Sequence, residues 1–182
     1  MKYESQNDLL LHKLMIFYNA NNNLNKMLCI INGESKISLR IVDWFSTNYA
    51  KKWFTVYDLD SCPRFRVYND YKLKLKAYSK RRFDPFCRWE RIKVPFGDQM
   101  YSIETTIGQL NFFKWAIENK IIDYIEQNYN EIEYDMNSNN SISKTKKHND
   151  SLGKTRKRRE ELSISAAKCM KKEKVDIVVK FV

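Results

Sequence analysis

The chain reads as an α+β protein, a single compact and mostly helical domain with a few short strands, then a disordered linker, a basic helix and a closing strand. Three observations predict this. Apolar residues recur at intervals of three and four through 38–52, 66–82 and 105–135, the period of an amphipathic helix. Short apolar or alternating runs at 27–31, 53–60, 90–96 and 174–182 suit strands. The stretch NSNNSISKTKKHNDSLGK (137–154) has almost nothing to bury, so it divides a folded region from a charged tail. The expected organisation is an N-terminal arm with an Asn-rich hinge over 1–26, a globular domain over 27–135, the linker over 136–154, and a basic helix with a C-terminal strand over 155–182.

Element by element, the arm places apolar residues at 9, 10, 14, 17 and 18, near helical spacing, and NANNNLN (19–25) reads as its hinge. MLCII (27–31) runs into Asn-Gly and suits a buried strand ending in a turn. Ser38 then caps a helix with Leu39, Val42, Phe45 and Tyr49 on one stripe, and Lys51 and Lys52 complement the negative end of its dipole. WFTVYDLD (53–60) alternates loosely as a strand. Val67, Tyr71, Leu75 and Tyr78 fit a helix over 66–82. ERIKVPF (90–96) is a further strand, at a sheet edge because Pro95 cannot donate to a ladder. Thr105 or Thr106 caps a long helical pattern whose face runs through Leu110, Phe113, Ile117, Ile121, Tyr129 and Ile132, with a break near Asn119. Beyond the linker, Thr155 can cap a short helix with Leu162, Ala166, Cys169 and Met170 on one side. Val175, Ile177, Val179 and Phe181 alternate as a strand returning to a sheet.

A chain of 182 residues, 43% apolar and 14% aromatic with four Gly and three Pro, can bury a real core and is no low-complexity sequence. Cys29, Cys62, Cys87 and Cys169 are scattered without a CxxC pair, and His12 and His148 give them little help, so neither a metal site nor a cofactor is expected. The thiols read as reduced. LLLHKLMIFY (9–18) is interrupted by His12 and Lys13, is too short to span a bilayer and lacks a signal-peptide cleavage site, so no membrane insertion is expected.

The net charge of +11 points to an anionic partner. Residues 64–93 hold eleven Lys/Arg against three acids, 98–135 hold two against eight, and 136–182 hold thirteen against five. Two basic zones therefore flank one acidic helical zone, and a surplus of positive charge remains even if one basic zone neutralises it. The first zone interleaves Lys76, Lys80, Arg81, Arg82, Arg88 and Arg91 with Tyr78, Phe83, Phe86 and Trp89. Cations beside aromatic faces suit phosphates and stacked bases, with Trp89 the candidate stacking group. The competing reading is that the aromatics anchor a loop while the cations are solvated. In the second zone Lys154, Arg156, Lys157, Arg158 and Arg159 sit at the start of their helix, where positive charge opposes the dipole. Phosphate contact or an import receptor accounts for that placement.

The pattern around Asn119 invites a helix-turn-helix reading, but Asp123, Glu126, Glu131 and Glu133 would repel phosphates from the second helix. A core helical hairpin fits better. No Gly-rich phosphate loop, GxSxG or HExxH is present, and the chain reads as a non-enzyme.

INGESKISLRIVDWFSTNYAKK (31–52), LKAYSKRRFDPFCRWERI (75–92), SIETTIGQLNFFKWAIENKIIDYI (102–125) and GKTRKRREELSISAAK (153–168) together resemble a small, uncharacterised protein family of nucleocytoplasmic large (giant) DNA viruses. The resemblance implies a viral setting and carries over no catalytic or binding residues. It raises two roles. The first is a non-enzymatic nucleic-acid-binding protein for viral transcription or genome packaging, making sequence-independent contacts to DNA or RNA phosphates. The second is a virion structural or protein-interaction module whose partners are viral proteins. The expected location is the host cytoplasm, in the viral factory, or the virion; the basic run 154–159 adds the nucleus.

Overall fold

A computed structural model of the chain describes residues 6–96, 101–149 and 172–174. It is an α+β fold. In order, α1 (Gln6–Asn19) and α2 (Asn23–Ile31) precede α3 (Leu39–Trp44), which continues through a π-helical turn (Phe45–Tyr49) into α4 (Ala50–Lys52). The hairpin β1 (Val56–Leu59) and β2 (Cys62–Arg66) leads into α5 (Val67–Tyr78). Then come β3 (Arg91–Phe96), β4 (Tyr101–Thr106), α6 (Ile107–Glu118), α7 (Ile121–Gln127), α8 (Tyr129–Asn149) and β5 (Lys172–Lys174). The antiparallel pair β1-β2 and the antiparallel sheet β3-β4-β5 are the sheets among the described residues.

The core gathers around α6, whose Leu110, Phe112, Phe113, Trp115 and Ala116 are all buried. Each such large apolar side chain contributes roughly 1.5–3 kcal/mol on leaving water. Leu14 and Tyr18 of α1 join this cluster, and the Tyr18 hydroxyl donates to the Leu110 carbonyl at 2.5 Å. The π-helical turn adds a residue to one helical circuit, which lets Phe45, Tyr49 and Ala50 all face the core. Phe45 meets Tyr124 of α7 at 5.4 Å between ring centroids.

Several expectations hold. Ser38 and Thr106 are N-caps, accepting from the amides of Ile41 and Gln109. The helix pattern breaks at Asn119, and Pro95 lies in the outer strand β3. Others need correction. MLCII is helical, within α2, because Leu24, Met27, Leu28 and Ile31 repeat at helical intervals once Leu24 is included. Strands β2 and β4 were not expected at all. CPRFR buries only Phe65, and in β4 the inward alternation is carried by Ile103 and Thr105, the second of them polar. The helix also continues past 136 into the stretch expected to be a linker, ending at Asn149. Early in that extension the Asn139 amide bonds back to the Asp135 carbonyl at 2.7 Å. A strand does return to the sheet from the C-terminal region, at Lys172–Lys174 beside β4. The expected basic helix and, beyond Lys174, the expected closing strand lie outside the described residues.

Candidate nucleic-acid interface

The loop 79–90, richest in the expected contacts, is held down by one carboxylate. Asp84 is 5% exposed and accepts from the Phe86 amide at 3.1 Å, from Arg88 Nε and Nη2 at 2.8 Å each, and from Trp89 Nε1 at 3.2 Å. The first turn of α6 grips the same loop. Gln109 Nε2 donates to the Pro85 carbonyl and Asn111 Nδ2 to the Arg82 carbonyl, both at 2.9 Å. Gly108 permits this approach, since a Cβ there would lie 2.7 Å from the Arg81 carbonyl oxygen. Phe83 and Phe86 are buried, so they anchor the loop.

This geometry sorts the expected site residues. Arg88 forms a fork with Asp84, and that hydrogen bond holds its guanidinium above its ordinary pKa against the opposing effect of burial. Trp89 is 40% exposed, but its indole N–H is bound to Asp84 and the Arg81 guanidinium lies 5.5 Å from its ring centroid. Arg82 reaches Gln6 at 3.1 Å, and Arg91 pairs with Glu104 at 3.7 Å. Lys76 and Lys80 stand apart from this network. They line a shallow groove of about 640 Å³ with Lys72, Leu73, Leu75 and Asn69. Lys154, Arg156, Lys157, Arg158 and Arg159 lie outside the described residues.

A second groove, of about 600 Å³, adjoins the first through Asn69, which lines both. Its cations are Lys51 at the end of α4 and Arg64 and Arg66 of β2. Among the described residues, none of Lys51, Arg64, Arg66, Lys72, Lys76 and Lys80 forms an ion pair. Among the described residues, cations without ion pairs therefore line α5, the turn after it and the β1-β2 hairpin, whereas Arg88 of the following loop and Arg91 of β3 are paired. A signal for part of this set was present. Lys72, Lys76 and Lys80 follow a four-residue spacing, which aligns Lys72 and Lys76 along one face of α5, while Lys80 lies just past the helix end at Tyr78. Arg64 and Arg66 open the basic zone 64–93, but β2, which carries them, was not legible as a strand.

The acidic zone takes a different position. Asp123 and Glu126 are exposed on α7, Glu131 on α8, and Tyr134 beside them is 76% exposed. Asp135 is an exception: it is buried and accepts from Trp44 Nε1 at 3.0 Å and from Lys52. Burial would raise its pKa, but the hydrogen bonds from Lys52 and Trp44, with the Lys52 charge, outweigh it and hold the carboxyl below its ordinary value. Among the described residues no group of three His, Cys, Asp or Glu could hold a metal ion, and no helix is long and apolar enough to cross a membrane.

The model of a family of unknown function, DUF7197, matches the chain along residues 1–181, and the chain belongs to that family. It is similar to a giant-virus protein, the uncharacterized protein L507 of Acanthamoeba polyphaga mimivirus, at 50% identity over 117 residues. That match covers 60% of this chain and 45% of the relative. The expected giant-virus setting therefore stands. No solved structure matches the chain.

Proposed function

We propose that the protein is a non-enzymatic nucleic-acid-binding protein of a large DNA virus, acting in viral transcription or genome packaging. It holds phosphates without reading sequence. The observation that carries this reading is a set of cations that form no ion pair among the described residues: Lys51 of α4, Arg64 and Arg66 of the hairpin, Lys72 and Lys76 of α5, and Lys80 just beyond it. Lysines evenly spaced along a helix present point charges to a phosphate backbone, and no rigid fork is needed for contacts that ignore the bases. The basic run 154–159 extends the electrostatic footprint in sequence, and the viral factory or virion is the setting that suits the role. Fluorescence-anisotropy titration with single- and double-stranded DNA and RNA at two salt concentrations tests it. Binding that weakens steeply with salt, and weakens further when Lys154, Arg156, Lys157, Arg158 and Arg159 are changed to Ser, is the expected result. Absence of binding at low salt overturns it.

A second reading, a virion or protein-interaction module, rests on the exposed acidic face of α7 and α8 with Tyr134. Basic and acidic faces of separate copies would then dock. Assembly that depends on protein concentration in the absence of nucleic acid is its signature.

A further inference from the structure

The end of α4 is built against its own stability. The Thr55 amide donates to the Ala50 carbonyl at 3.2 Å and the Trp53 amide to the Tyr49 carbonyl at 2.9 Å, so the helix closes in a Schellman-type turn. The residue just past such a cap is held in the left-handed region, which favours glycine. Here it is Phe54, at φ +49°. For a bulky side chain this backbone is an outlier that the surrounding fold must enforce. The phenyl ring is 84% exposed, so burial does not repay the strain. Trp53 beside it is 58% exposed. Arg64, on the far side of the same groove, is also left-handed, at φ +56°, with its amide tied to Asp58 Oδ1 at 2.7 Å.

A strained, exposed phenyl ring that the core does not take up points to a ligand. The groove that Phe54 lines joins it, with Val56 and Tyr68, to Lys51, Arg64 and Arg66. Its occupant must be anionic and must carry a flat apolar face. The chain's own tail is basic, which argues against its docking there. We infer that the groove is a base subsite for single-stranded nucleic acid: an unstacked base lies on Phe54, and the flanking phosphates are held by Lys51, Arg64 and Arg66. This deepens the proposed function and rests on it. It also moves the stacking group from Trp89, already occupied by Asp84 and Arg81, to Phe54.

The test compares a thymidine 20-mer, a uridine 20-mer and an abasic deoxyribose-phosphate strand of about the same length by anisotropy, since the abasic strand keeps the phosphates and loses the π-faces. The expected result for the wild-type chain is binding of a base-bearing strand about tenfold or more tighter than the abasic one. The two base-bearing strands distinguish DNA from RNA. Phe54→Gly is expected to abolish that preference while melting no lower than wild type, because glycine suits the cap, and Phe54→Tyr is expected to keep it. Equal binding of all three strands by the wild type, or a preference unchanged in Phe54→Gly, overturns the subsite and leaves the phosphate reading standing. No binding to any strand removes both. A dimer seen by sedimentation in wild type and lost in Phe54→Gly would assign the groove to a second copy of the chain and overturn the subsite.

Discussion

At Asp84 one buried carboxylate accepts from a backbone amide, both arms of Arg88 and the Trp89 indole, and through them it fixes the loop that follows α5. Asp84→Asn removes the charge that balances Arg88 and exchanges an acceptor oxygen for an amide donor. A loss of about 2 kcal/mol is expected, within the range for a buried charge-assisted network, measured by urea unfolding. Nucleic-acid affinity measured on the folded variant should change little, because the cations assigned to phosphate, on α4, β2 and α5 and at Lys80, form no bond with Asp84. Asp135 supports a pH prediction. Its pKa is lowered in the folded chain, so its contribution is fully present above the unfolded value near 3.8 and is lost as pH falls through the lower folded value. Asp135→Asn should therefore flatten the acid limb of the stability curve below about pH 4, besides costing about 1–3 kcal/mol at neutral pH. An acid limb identical to wild type would contradict the assignment.

At the scale of elements, α6 sets the geometry of the basic region from behind. Its first turn carries Thr106 as cap, Gly108 against the Arg81 carbonyl, and Gln109 and Asn111 on the loop carbonyls. Gly108→Ala is expected to cost about 1–3 kcal/mol, because the atom it meets is backbone and cannot swing aside. A thermal melt checks it; an unchanged midpoint would mean that the loop is not pressed on α6. The same element shows what was legible. Where apolar residues repeat over several turns, as in 38–52 and 106–125, periodicity and a Ser or Thr cap locate the helix ends. In the five residues of MLCII a helix and a buried strand share one pattern, and α2 was misread. Strands whose inward positions are polar, as Thr105 in β4, carry no such signal. The candidate site follows the same logic. Lys76 and Lys80 were found from sequence, whereas the pairing of Arg88 and Arg91 with Asp84 and Glu104 depends on folding. Phe54 was invisible because its significance lies in a backbone angle.

For the whole molecule, charge is partitioned: cations along α5 and the hairpin, acids exposed on α7 and the start of α8. The two charges meet where α7 packs on the hairpin, with Tyr57 stacked on Tyr124 at 5.1 Å and Lys120 paired with Asp60 at 2.9 Å. The net charge of +11 does not translate into affinity residue by residue, since several of the cations are engaged within the fold. The most direct measurement is the salt dependence of single-stranded DNA binding by the wild-type chain and by a variant with Lys72, Lys76 and Lys80 changed to Ser. Each phosphate neutralised on a single strand contributes about −0.7 to the slope of log K against log salt. If these three lysines hold three phosphates, the variant should bind more weakly and its slope should become shallower by about 2. An unchanged affinity and slope in a folded variant would contradict the account and move the phosphate contacts to Lys51, Arg64 and Arg66 or to the basic segment beyond residue 150.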